Sequence, residues 1–181
     1  GARFVMTGPG AHAWLGSIGA ARVFSSSAAD VWEDAAALPR AYLARRVEHA
    51  HSEDVLAGLS DPAVAAGETV VLETEEGPGG TASEGDARIV RSDDTEVVVA
   101  VDAVSPGLVV LLDAWSPEWR AWVDGQPTPI RHANWLARAV EVPPGRHAVV
   151  FRFVPVVFYA GLATSALTAV GVAAALLRTS G

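Results

Sequence analysis

The sequence predicts a mainly β protein: an antiparallel β-sandwich, jelly-roll-like, with one or two short helices, followed by a C-terminal transmembrane helix. Three observations predict it. From Ala87 onward, short apolar runs alternate with turn residues, among them an Asp124-Gly125 pair of the kind that closes a tight hairpin. Leu108–Leu112 is continuously apolar, the pattern of a strand buried on both faces. Val156 to Leu177 holds no charged residue. As a helix that run rises about 33 Å, against a hydrocarbon core of about 30 Å. A helix buried in a water-soluble domain is usually shorter and carries a polar stripe, which this one lacks.

In order along the chain, Ala2–Thr7 reads as a short strand and Gly8-Pro9-Gly10 as a turn. That glycine pair is not a phosphate loop, because neither GxGxxG nor a following GK[ST] accompanies it. Ala21–Phe24 and Ala29–Glu33 read as strands around a loop at Ser25–Ser27. Leu38-Pro39-Arg40 opens another strand through Ala41–Val47. Ser52, followed by Glu53-Asp54, is expected to cap a helix reaching Leu59, with the acids favoured by the helix dipole. Asp61-Pro62 gives a second N-cap with proline in the first helical position, and Gly67 the stop. Thr69–Glu73 is a strand, and the acidic, glycine-rich Glu73–Asp86 a flexible loop. The β pattern then runs through Ala87–Ser92, Glu96–Val104, Gly107–Ala114, Trp119–Val123, Ala137–Val142 and His147–Phe153. Pro143-Pro144-Gly145 makes a second tight reversal. Residues 1–153 form one water-facing domain, 154–178 the span and 179–181 a tail.

Composition narrows the classes of partner. A net charge of −8 argues against nucleic acid and against an anionic lipid surface as the domain's partner. All thirteen basic residues are arginine, and cysteine is absent, so there is no disulfide framework and no cysteine zinc site. The chain opens on Gly1 with no basic-then-apolar leader, so it is expected to be the end of a longer protein. Arg178 is the one charge beyond the apolar run, which puts the tail on the cytoplasmic side and the domain outside. Gly161, Ser165, Ala169 and Ala173 recur every four residues as a small-residue stripe. Such a stripe lets helix backbones approach closely in lipid, so further transmembrane helices are the expected partners. An alanine-rich composition is the competing explanation.

Two blocks carry a family resemblance: PGLVVLLDAWSPEWRAWVDGQPTPI followed by VEVPPGRHAVVFRFVP across residues 106–155, and VWEDAAALPRAYLA at Val31–Ala44. In their order, and in the helix that follows, these resemble the extracytoplasmic C-terminal domain of YfhO-type bacterial membrane proteins. The family departs from this chain at one point: it has an aromatic, a proline and a glycine before the tryptophan, where Ser116-Pro117-Glu118-Trp119 stands here. The resemblance implies a large polytopic protein of the cytoplasmic membrane, similar to lipid-linked-sugar glycosyltransferases and acting in envelope-polymer glycosylation. It also implies that the catalytic acid lies in an early outer loop of the parent. No catalytic residue, metal or cofactor is therefore assigned to this chain. Its expected partners are membrane lipid, the parent's upstream helices, and an envelope glycan or lipid-linked sugar.

Candidate contact residues rest on side-chain chemistry. Of six tryptophans, Trp115, Trp119 and Trp122 cluster. Indole faces stack on sugar rings, but they equally fill a core or sit at headgroup level. In one strand Trp122 points away from Trp119. Trp115, Trp119 and Trp135 are the candidates for glycan contact, with Trp135 the one expected to face a membrane or partner. Arg40, after Pro39, pairs with an acid or a phosphate. His49 and His51 would share a strand face as metal ligands do, but no third or fourth ligand accompanies them. Asp113 and Asp124 invite comparison with a glycosidase carboxylate pair. Asp124 is better explained by its turn, and Asp113 by the end of a buried strand.

Overall fold

The structure is a computed structural model of residues 1–181. It describes all of them except 1–2, 11, 13, 18, 74–82 and 180–181, and, within helices, the side chains of Ser52, Glu53, Ala173, Ala174, Leu176 and Thr179. The elements are β1 (Phe4–Thr7), α1 (Trp14–Ser17), β2 (Ala21–Ser25), β3 (Asp30–Glu33), β4 (Ala41–Ala44), β5 (Arg46–Ala50), α2 (Ser52–Gly58), α3 (Pro62–Ala65) and β6 (Thr69–Glu73). They continue with β7 (Gly85–Ser92), β8 (Glu96–Ala103), β9 (Gly107–Leu111), β10 (Trp119–Val123), β11 (Gln126–Thr128), β12 (Arg131–Ala133), β13 (Ala137–Val142), β14 (Gly145–Phe153) and α4 (Val156–Thr179).

The fold is mainly β. A five-stranded sheet, β11-β10-β14-β8-β7, faces a six-stranded sheet, β4-β9-β13-β12-β6-β5, and a small sheet β1-β3-β2 stands apart at the N-terminus. Alternation along the strands builds the core. Val97, Val99, Val101, Val149 and Phe151 from one sheet meet Leu43, Val109, Leu111, Val140 and Val142 from the other in a single cluster. The alternate residues of the six-stranded sheet, Tyr42, Leu108, Val110 and Ala139, join Val70 and Leu72 in a second cluster on its far face. Leu108–Leu111 is therefore buried on both faces, as its unbroken apolar run requires.

Several expectations need correction. The strand expected over Ala41–Val47 breaks at Arg45, so β4 and β5 lie at opposite edges of their sheet. β5 runs parallel to β6, with Arg46 opposite Thr69, whereas a jelly-roll path is antiparallel throughout. A parallel pair needs a crossover, and α2 and α3 supply it, packing Val55 and Val64 on Val71. His51, not Ser52, holds the N-cap position of α2 and makes no side-chain cap bond, while Ser52 is the first helical residue. Asp61 does cap α3, accepting from the Ala63 N–H, and Gly67 follows it at φ +73. Most of the expected Glu73–Asp86 loop falls outside the described residues. Its end does not behave as a loop: Ser83 is buried and Gly85–Asp86 belong to β7. β11 is the return arm of the expected Asp124-Gly125 hairpin, whereas β12 and the short α1 lie outside the elements the sequence predicts.

α4 leaves β14 through Val154-Pro155. Its described side chains are exposed from Val156 to Val172, and none joins a core cluster. Among the described residues no helix is long and apolar enough to cross a membrane. Of the small-residue stripe, Gly161, Ser165 and Ala169 are exposed, and Ala173 lies outside the described side chains.

Candidate functional site

The site is assembled from the segment between β9 and β12. Asp124 (φ +50) and Gly125 (φ +81) form the two-residue turn that pairs Val123 with Gln126, so β11 returns alongside β10. Pro127 is tolerated because β11 is an edge strand. The result is an open groove of about 500 Å³ lined by Trp115, Pro117, Trp119, Arg120, Trp122 and Ile130, with Ser116 and Thr128 among its polar groups.

Each indole in the groove is fixed by a cation or an imidazole. Trp119 shares its face of β10 with the core residues Ala121 and Val123. Arg138 lies 3.8 Å from its ring centroid, and Phe153 meets it edge-on at 5.5 Å. Trp122, on the opposite face as the strand period requires, lies under the Arg152 guanidinium at 5.5 Å. Trp115, outside the strand, stacks on His132 with centroids 4.9 Å apart, and His132 is paired with Glu73. The backbone N–H of Trp115 donates to the Leu136 carbonyl.

The loop before Trp119 is closed by its own backbone and side chains. The Trp119 N–H donates to the Ser116 carbonyl, and the Ser116 hydroxyl donates to the Glu118 carboxylate at 2.6 Å. That hydroxyl holds Glu118 below the usual carboxylate range. Among the described residues, only Asp124, Asn134 and Trp135 are non-glycines with positive φ, so the Glu118 position needs no glycine.

Arg40 and Trp135 do not line the groove. Arg40 donates twice to Asp113, at 2.7 Å each, and once to Ser92 at 2.9 Å. The hydrogen bonds to Asp113 push the Arg40 guanidinium above its ordinary value. Arg138 joins the same carboxylate at 3.2 Å and is itself buried. Burial lowers its guanidinium to about 10, and its buried Nη1 has no hydrogen-bond partner. Trp135 sits at φ +68 in the turn between β12 and β13, 38% exposed. Beside it, Asn134 accepts from the Val71 N–H through its side chain and donates its own N–H to the Val71 carbonyl.

The carboxylates compared with a glycosidase pair serve other partners. Asp113 holds two arginines. Asp124 accepts from the Ala148 N–H at 2.8 Å and bonds His147 Nδ1 at 2.6 Å. His49 lies in β5 and His51 has left it to start α2, and among the described residues no group of three or more metal-ligating side chains forms.

Arg138 and Asn134 lie outside the sequence reading, whereas Trp122, clustered with Trp115 and Trp119 in sequence but not chosen for glycan contact, lines the groove with them. The odd spacing of Trp119 and Trp122 signals opposite faces, but only the hairpin brings both to one groove. No protein-family model matches the chain, and no curated protein or solved structure matches it either.

Proposed function

We propose that this chain is the outer, non-catalytic β-domain and the C-terminal membrane span of a polytopic envelope protein similar to lipid-linked-sugar glycosyltransferases. The domain lies on the extracytoplasmic side of a bacterial cytoplasmic membrane. One observation carries this reading: α4 runs for 24 residues with an apolar, wholly exposed described surface that the β-body does not cover. At about 1.5 Å per residue its 24 residues rise about 36 Å, against a hydrocarbon core of about 30 Å.

Its polar groups suit lipid. Thr164 donates its hydroxyl to the Ala160 carbonyl and Thr168 to the Thr164 carbonyl, each at 2.9 Å, so neither needs water. Phe158 and Tyr159 stand where the helix leaves the body, and Arg178 stands at its far end, the residues that favour the two interfaces. A Cβ added at Gly161 meets nothing within 4 Å, which leaves its face open for a neighbouring helix. The domain's role is to cover the parent's membrane-embedded site or guide its acceptor. A second reading, a membrane-held glycan-binding module, is favoured by the groove of Trp115, Trp119 and Trp122.

The span is tested by cysteine labelling in the otherwise cysteine-free full chain. Leu167→Cys and Val104→Cys replace residues of nearly equal exposure in the isolated molecule, 74% and 73%. In phosphatidylcholine vesicles a water-soluble maleimide is expected to label position 104 freely and position 167 only after detergent is added. Equal labelling of both in intact vesicles refutes the span.

A further inference from the structure

We propose that the groove beside the root of α4 is a saccharide site that takes the hexose headgroup of a membrane glycolipid. The inference rests on reading α4 as a span, and it goes further by assigning the ligand class and the residues.

The groove's chemistry selects the ligand. Three indoles line it, and the apolar faces of pyranose rings stack on such surfaces. Arg120 lines the groove with an exposed guanidinium, whose described hydrogen bonds go to the Pro117 and Trp119 carbonyls. Its remaining N–H groups can donate to sugar hydroxyls. The Ser116 and Thr128 hydroxyls already donate, to Glu118 and to the Gln126 carbonyl, and so offer oxygens that accept. Glu118, two residues from Arg120, offsets its charge, which favours a neutral sugar over a phosphate. A volume of about 500 Å³ lies within the range of small-ligand sites and accommodates one or two rings.

Position selects the source. Trp119 is paired across the ladder with Phe153, the last residue of β14. The Val154 N–H donates to the Glu118 carbonyl at 2.8 Å, and α4 begins two residues later. The groove therefore opens where the chain enters the bilayer, at the depth of a lipid's sugar headgroup. Trp115, Trp119 and Trp122 are the residues assigned to it, with Arg120 as the polar contact.

The test uses the full chain in phosphatidylcholine nanodiscs with and without digalactosyl diacylglycerol. The six indole N–H resonances are assigned by tryptophan-to-phenylalanine replacement one at a time. The glycolipid is expected to shift Trp115, Trp119 and Trp122 and to leave Trp14, Trp32 and Trp135 in place. Arg120→Ala, at an exposed position, is expected to weaken that response about tenfold, in line with loss of one charged contact. The proposal is overturned by silence of the groove indoles, by shifts centred on Trp135 or Trp14, or by a response to free digalactose without one to the glycolipid. It is also overturned if plain phosphatidylcholine produces the whole shift. Labelling at position 167 is read separately, so loss of the span and loss of the sugar site are told apart.

Discussion

Arg138 enters the space between the sheets because it shares a strand face with Val140 and Val142. Its charge is tolerated through the Asp113 carboxylate and the Trp119 ring. Asp113→Ala leaves that buried cation uncompensated, and a loss of about 3–5 kcal/mol is expected in urea unfolding. Coupling the change with Arg138→Met should recover much of it, because the charge leaves with its partner. At the β10–β11 turn, His147 is raised above 6.5, first by the Asp124 hydrogen bond and then by the Pro144 carbonyl. Asp124 is lowered below 3.8, first by the Ala148 N–H and then by His147. The histidine's contribution is full below pH 6.5 and fades as pH rises through its folded value. The aspartate's holds above 3.8 and fades as pH falls through its folded value. Stability from this pair should therefore be greatest between about pH 4 and 6.5. A pH series of melting temperatures for His147→Gln should lack the decline on the alkaline side.

Among the elements, β7 shows how one backbone position sets a strand's entry. Gly85 has φ +144, and a Cβ there would fall inside contact distance of the Asp102 carbonyl oxygen on β8, with the Ala103 Cα only 3.1 Å away. Neither neighbour is a flexible side chain, so β7 and β8 would have to part. Gly85→Ala is expected to cost more than about 2 kcal/mol, checked by denaturant midpoint at unchanged m-value. Gly16→Ala in α1, whose nearest atom would be 3.9 Å away, should be close to neutral. The crossover through α2 and α3 was legible only as two helices. The Asp61-Pro62 cap and the Gly67 stop are local signals, whereas the parallel pairing of β5 with β6 is a long-range contact that no short window contains.

For the molecule as a whole, the shared core couples the two large sheets. Phe151, fully buried in the five-stranded sheet, lies in one cluster with Leu111 and Val140 of the other. Phe151→Ala is expected to cost about 3–5 kcal/mol. Far-ultraviolet circular dichroism and tryptophan emission should report one coincident transition, since neither sheet keeps its core without the other. None of the described side chains of α4 joins that core. The molecule joins a body stabilised by water exclusion to a helix whose apolar surface remains uncovered.

The sequence by itself determined what is local: the Asp124-Gly125 hairpin, the doubly buried Leu108–Leu111 strand, the α3 cap, and the chargeless run that becomes α4. Each follows from side-chain period or backbone preference over a few residues. The tertiary structure alone decided which tryptophans meet in the groove, that Arg40 and Arg138 share one carboxylate, and that the crossover is parallel. Those depend on strand register and sheet order, where residues such as Arg40 and Asp113, or Trp119 and Phe153, become neighbours only after distant strands have paired.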